Sequence, residues 1–255
     1  MLLRRIIDHV RHQNWTAIAI DFVIVVLGVF VGMQVTNWNE ARALREREKT
    51  IIQSLTEEFR AIASEEQKAI ELSQQLIGFD TKWLEAISRP DTLDIAALHE
   101  MVIDHFEGIS PQLHEHFKSL EPTKVFSHLT GLALLPEASI TFQELVSSGD
   151  LGLLRSKALR TALARRNARL EETTNAIQLN QRQYLELSSG LLREAVYQSA
   201  APGSIPAINA LLTRPDFPAA LRGHAGAGRI NLSWYKRVHD ETLRVLEILE
   251  KAQAP

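Results

Sequence analysis

The residues with the best claim to chemistry are histidines. His114-Glu115-His116, with His105 and His128 nearby, is the one cluster of potential metal ligands worth naming. Imidazole is a common ligand, but alternate residues share a face only in a strand. Neither H-E-x-x-H nor a pair of Glu-x-x-His motifs accompanies them. His114 and His116 are thus weak metal candidates that read as part of a polar loop, and no cofactor is expected. Gly223-His-Ala-Gly-Ala-Gly228 lacks the preceding strand of a phosphate-binding turn and reads as a flexible connection. Ser147-Ser148-Gly149-Asp150 has no nucleophile-elbow form. His239 and Asp240 are sequence neighbours, and neighbours on a helix do not face each other. With no triad, metal or phosphate motif, a non-enzymatic role is the expectation.

One further group stands out by its setting. Asp21 is the single acid in the apolar run from Trp15 to Val35. An acid at that depth ordinarily faces protein. Gly28 and Gly32 form a G-x-x-x-G pair, a spacing that lets helix backbones approach closely in lipid. At about 100° per residue, Asp21 lies within about 20° of Gly28. Asp21, Gly28 and Gly32 therefore share one stripe, which reads either as a contact face for self-association or as glycines common in membrane helices with Asp21 shallow enough to reach the interface.

The element that must carry this stripe is a membrane helix. Residues 15–35 match the roughly 20 residues needed to cross a hydrocarbon core. Trp15 and Trp38 bracket them as interface anchors. The apolar run is longer than that of a signal peptide, so it is expected to stay uncleaved. Residues 1–14 place Leu2, Leu3, Ile6, Ile7 and Val10 opposite Arg4, Arg5 and Arg11, a basic amphipathic leader suited to an anionic leaflet. The Lys and Arg flanking the span are balanced and do not decide orientation.

Residues 36–255 read as one helical extramembrane domain. Ile52, Leu55, Phe59, Ile62, Ala69, Leu76 and Trp83 recur at three/four spacing, which predicts a long helix continuing from the membrane and ending at Ser88-Arg89-Pro90-Asp91. Glu66, Ser73 and Asp80 interrupt its seam where a strict heptad wants apolar residues, which favours a bundle over a coiled coil. A helix is expected near Leu93–Phe106, then a looser stretch over Gly108–Pro136, then a short helix from Ile140 closed by Gly149. A long helix from about Ser156 to Ala200 places Arg165, Arg166, Arg169, Glu171 and Glu172 on what reads as a solvated, charge-paired face. After the break at Ala201–Pro206 come a short helix near Ala207–Thr213, a Pro/Gly-rich connection to Gly228 and a last helix over Ile230–Ala252. No alternating strand pattern appears. The fold class is all-α: one transmembrane helix continuing into a long helix, then an irregular bundle.

Composition agrees. The chain is 45% hydrophobic and 23% charged, enough to bury a core. A net charge of −3 and 6% aromatics give no basic field or stacking platform for nucleic acid. It contains no cysteine, which excludes disulfide and thiolate chemistry. The partners expected are the lipid bilayer, a second copy through the membrane helix, and a protein whose identity the residues do not specify.

The block Asp21–Glu40, ending Gly32-Met-Gln-Val-Thr-Asn-Trp-Asn-Glu40, resembles an uncharacterised family of bacterial single-pass membrane proteins. In that family an acid opens an Ile/Val-rich helix that ends in a Gln-x-x-Asn-Trp-Asn-Glu-like run. Phe142-Gln-Glu-Leu-Val-Ser-Ser-Gly-Asp-Leu151 and Leu211-Leu-Thr-Arg-Pro-Asp-Phe217 extend the likeness. This chain has Asp21 where Glu is usual, and Val35-Thr36 where Ile-Asn is usual. The resemblance implies no activity. It implies an inner-membrane protein with a cytoplasmic N-terminus and a periplasmic helical domain. The runner-up is an ion- or proton-coupled accessory subunit using Asp21.

Overall fold

The computed structural model describes residues 15–87, 94–125, 136–187 and 205–253. The leader 1–14, the helix stop at Ser88–Asp91, His128, the stretch to Ala200 beyond Leu187 and the break at 201–204 lie outside the described residues. So do the side chains of Trp15 and Asp21.

The protein is all-α, with no strand among the described residues. The chain divides into two compact units, Met1–Ile51 and Ile52–Pro255. Helix α1, Trp15–Ile87, begins in the first and ends in the second. Its described apolar side chains from Phe22 to Val35 are about half or more exposed on every face. The helix includes a stretch long and apolar enough to cross a membrane, none of it buried within the protein.

In the second unit α1 becomes amphipathic. Leu55, Phe59, Ile62, Ala63 and Ile70 are buried, while Gln53–Glu57 and Gln67–Glu71 bond at i, i+4 on the exposed side. Helix α2, Ile95–Glu107, starts where Asp94 accepts from the Ala97 amide and Asn209 accepts from the Ile95 amide, both at 2.8 Å. Helix α3 spans Pro111–Ser119. Here the expected polar loop gives way to a helix. Ser110 caps it and Pro111 takes the first turn, where a missing N–H costs nothing. The same proline had suggested irregular chain.

Helix α4, Ile140–Ser148, is held at both ends. Ser139 accepts from the Phe142 amide at 3.1 Å. Glu58 of α1 accepts from the amides of Ile140 and Thr141 and from the Ser139 hydroxyl, at 2.5, 3.2 and 2.9 Å. Gly149 closes the helix at φ 78°, a left-handed conformation that glycine adopts without a Cβ clash. A 3₁₀ turn, Asp150–Leu153, leads to α5, Lys157–Leu187. Then come α6, Ile205–Leu212, and α7, Phe217–Gln253, which packs along α5.

Helix α7 corrects a second expectation. Gly223–Gly228 is not a connection but helix interior. Each glycine costs about 1 kcal/mol there relative to alanine. Burial of Phe217, Ala220, Leu221 and Ala225 along one face offsets it, and Gly228 lies against Ile77, whose Cγ1 would be 3.7 Å from a Cβ at that position.

A buried apolar cluster joins Phe79, Trp83 and Ile87 of α1 to Leu98, Val102 and Phe106 of α2. Phe117, Leu211, Leu212, Phe217 and Leu221 complete it. The Phe106 and Phe117 rings stack at 5.3 Å.

Candidate functional site

A charged layer lies inside the bundle of the second unit, assembled from three helices. On α1, Glu66 falls in the seam between Ile62 and Ile70 and is 1% exposed. On α5, Arg166 follows Leu159 and Leu163 and precedes Leu170 at the same spacing; it is 2% exposed. On α7, Thr242 sits between Val238 and Val245 and is fully buried. Each polar residue occupies a position that the apolar periodicity of its own helix turns inward.

The contacts form a closed set. Arg166 Nη2 donates to Glu66 Oε1 at 2.9 Å and to the Glu137 carbonyl at 2.6 Å. Arg166 Nε donates to Thr242 Oγ1 at 3.1 Å, and that hydroxyl donates to Glu66 Oε1 at 3.2 Å. His239 Nδ1–H donates to Glu66 Oε2 at 3.1 Å. The guanidinium lies over the Phe59 ring, 5.7 Å from its centroid. Both carboxylate oxygens of Glu66 are therefore occupied, as a buried charge requires. Burial pushes the nearby Tyr235 hydroxyl up to about 12, and the negative charge of Glu66 adds to the effect. Next to Thr242 on α7, Glu241 binds Arg165 at 3.1 Å and Arg244 at 2.6 Å.

The reading of Arg166 as part of a solvated face is thus overturned; Arg165 is 62% exposed, as that reading expects. Chemically the layer is self-satisfied. Its acid and base neutralise each other, and neither is open to a solute. What it can do is fix the register of α1, α5 and α7, because a slip of one turn would bury both charges unpaired.

Asp80 is a further buried acid on α1, 6% exposed. Burial lifts its carboxyl to about 7, against the lowering pull of Arg229. His105 is also buried. Its Nε2–H donates to the Gln75 carbonyl at 3.2 Å, its Nδ1 has no hydrogen-bond partner, and burial holds its pKa low.

The residues singled out from the sequence are dispersed. His114 Nδ1–H donates to the Ile103 carbonyl at 3.2 Å, while His116 sets its ring edge on Phe117 at 5.5 Å. An i, i+2 pair on α3 diverges by about 200°. Among the described residues no group of three His, Asp or Glu is placed to hold a metal ion. Gly28 and Gly32 have nothing within 4 Å of a Cβ position, and Trp38 is 60% exposed. A groove of about 430 Å³ opens between residues 136–138, α4 and α5, lined by Gln143, Asn167, Leu170, Glu171 and Asn175 among others.

No protein-family model, curated protein or solved structure matches the chain.

Proposed function

We propose that the chain is a non-enzymatic interaction module tethered to the bacterial inner membrane by residues 15–35. The observation that carries this reading is the contrast between two stretches of one helix. From Phe22 to Val35 every described face of α1 is apolar and exposed, an arrangement that hydrocarbon satisfies and water does not. From Ile52 onward the same helix buries one face in a bundle whose internal charges are paired. The bilayer is the first partner, and residues 36–255 present a helical surface to a second. The N-terminus is cytoplasmic and the bundle periplasmic in this reading.

The absence of native cysteine makes the test direct. Ser147 is exposed at the end of α4. A Ser147→Cys chain in intact cells should react with a membrane-impermeant maleimide once the outer membrane is permeabilised. Reaction only after inner-membrane lysis reverses the orientation. Recovery of the chain in the soluble fraction refutes the anchor.

The lone acid within the apolar run supports a second reading, an accessory subunit coupled to ion or proton movement. Asp21→Asn separates the two. Loss of the cellular phenotype with normal membrane assembly favours coupling, and an unchanged phenotype favours tethering.

A further inference from the structure

The outward faces of α7 and α2 carry opposite charge, and the first turns of α7 stand at the level of α2. The six Lys and Arg of α7 are Arg222, Arg229, Lys236, Arg237, Arg244 and Lys251, and all six are exposed. At about 100° per residue they fall within a sector of about 100°. Of the acids on α7, only Asp240 and Glu247 share it. On α2, Glu100, Asp104 and Glu107 are exposed at i, i+4 and i+7, opposite the buried Leu98, Val102 and Phe106. Residues 94–125 carry six exposed acids against two lysines, a net charge of −4. The overall charge of −3 conceals this separation.

The level follows from α1. Helix α2 packs on Phe79, Trp83 and Ile87, and His105 bonds the Gln75 carbonyl. Helix α7 places Gly228 beside Ile77, and its Phe217 and Leu221 enter the same apolar cluster. Arg222 and Arg229 therefore stand beside the same turns of α1 as Glu100, Asp104 and Glu107.

We propose that the acidic face of α2 in one copy docks on the basic face of α7 in a second copy. The charges complement each other. Copies anchored in one bilayer are also held at a raised effective concentration, which favours a contact between them. This last point rests on the tether reading above. A contact between two different surfaces of one chain does not close at a dimer; it continues into a ring or a row.

The test uses the full-length chain, labelled with donor or acceptor at Ser147→Cys, in phosphatidylcholine vesicles. Energy transfer between wild-type copies should exceed that of randomly placed labels and fall at least severalfold in 0.5 M salt, where screening shortens to less than about 8 Å. E100K/D104K/E107K should abolish it, and so should R222E/R229E/K236E. Mixing the two variants should restore it, because each then supplies the face that the other needs. E100Q/D104N/E107Q serves if a reversal fails to fold. Transfer unchanged by both reversals overturns the proposal and points to the membrane helix. No recovery on mixing also overturns it. So does an effect of the α7 reversal alone that requires anionic lipid, which would make the bilayer surface the partner. Flotation of the chain with the vesicles is scored separately. A chain that does not float refutes the tether, and the mixing experiment is then read in solution.

Discussion

Removing the guanidinium of Arg166 should destabilise the bundle more than removing both charges of its layer. In Arg166→Met, Glu66 stays 1% exposed and loses the cation at 2.9 Å. An orphaned buried charge costs about 3–5 kcal/mol. The unit Ile52–Pro255 has the size at which 1 kcal/mol shifts Tm by about 2–4 °C, so Tm should fall by about 6–20 °C. Glu66→Leu alone leaves Arg166 buried with only Thr242 and the Glu137 carbonyl, and should cost a similar amount. The double variant buries neither charge. Replacing a whole buried pair by apolar residues ranges from neutral to about 1–4 kcal/mol stabilising. Here Thr242 and His239 lose an acceptor, which places the double near neutral. The two substitutions should therefore be non-additive by several kcal/mol. Melting curves followed by circular dichroism at 222 nm, in one detergent throughout, measure all four corners of the cycle. A double variant whose loss equals the sum of the singles within about 0.5 kcal/mol refutes the coupled layer.

Asp80 predicts an inverted pH dependence. Its carboxyl titrates at about 7 in the fold and at 3.8 as a free group, so between these values the folded chain holds a proton that the unfolded chain has released. Stability should then fall as pH rises from about 4 to 7, by on the order of a few kcal/mol. Asp80→Asn should flatten that slope and raise Tm at pH 8; an unchanged slope in denaturant titrations contradicts the assignment. Glu58→Ala should cost about 1–3 kcal/mol by removing the acceptor of three donors at the start of α4. Hydrogen exchange should localise that loss to the amides of Ile140 and Thr141, and uniform loss of protection across the unit would count against it.

How far the sequence reveals this structure depends on the range of the forces involved. The apolar span, the seam of α1 and the closing Gly149 are local patterns, and each is legible from a few residues. Pro111 and the Gly223–Gly228 run mislead for the same reason. Their local signals favour irregular chain, whereas Ser110 and the packed face of α7 decide for helix. The charged layer is long-range. Its residues are separated by 76 to 176 positions, so no window contains two of them from different helices. A faint signal did exist. Glu66 interrupts one apolar seam, and Arg166 stands at stripe spacing among Leu159, Leu163 and Leu170. Opposite charges on two inward seams are grounds for expecting a buried pair. Counting Arg166 with its neighbours Arg165 and Arg169 hides that.

The order of the layer along the chain has a consequence for biosynthesis. Glu66 leaves the ribosome first, Arg166 a hundred residues later, and His239 and Thr242 more than seventy residues after that. Until α7 is made, one oxygen of Glu66 has no donor and Arg166 Nε has no acceptor from this layer. A chain that stops short of about residue 240 thus keeps a partly satisfied charge that α7 would otherwise seal. Such a product should be poorly protected and readily cleared by proteolysis. Helix α7 thus seals a layer that the earlier helices leave open.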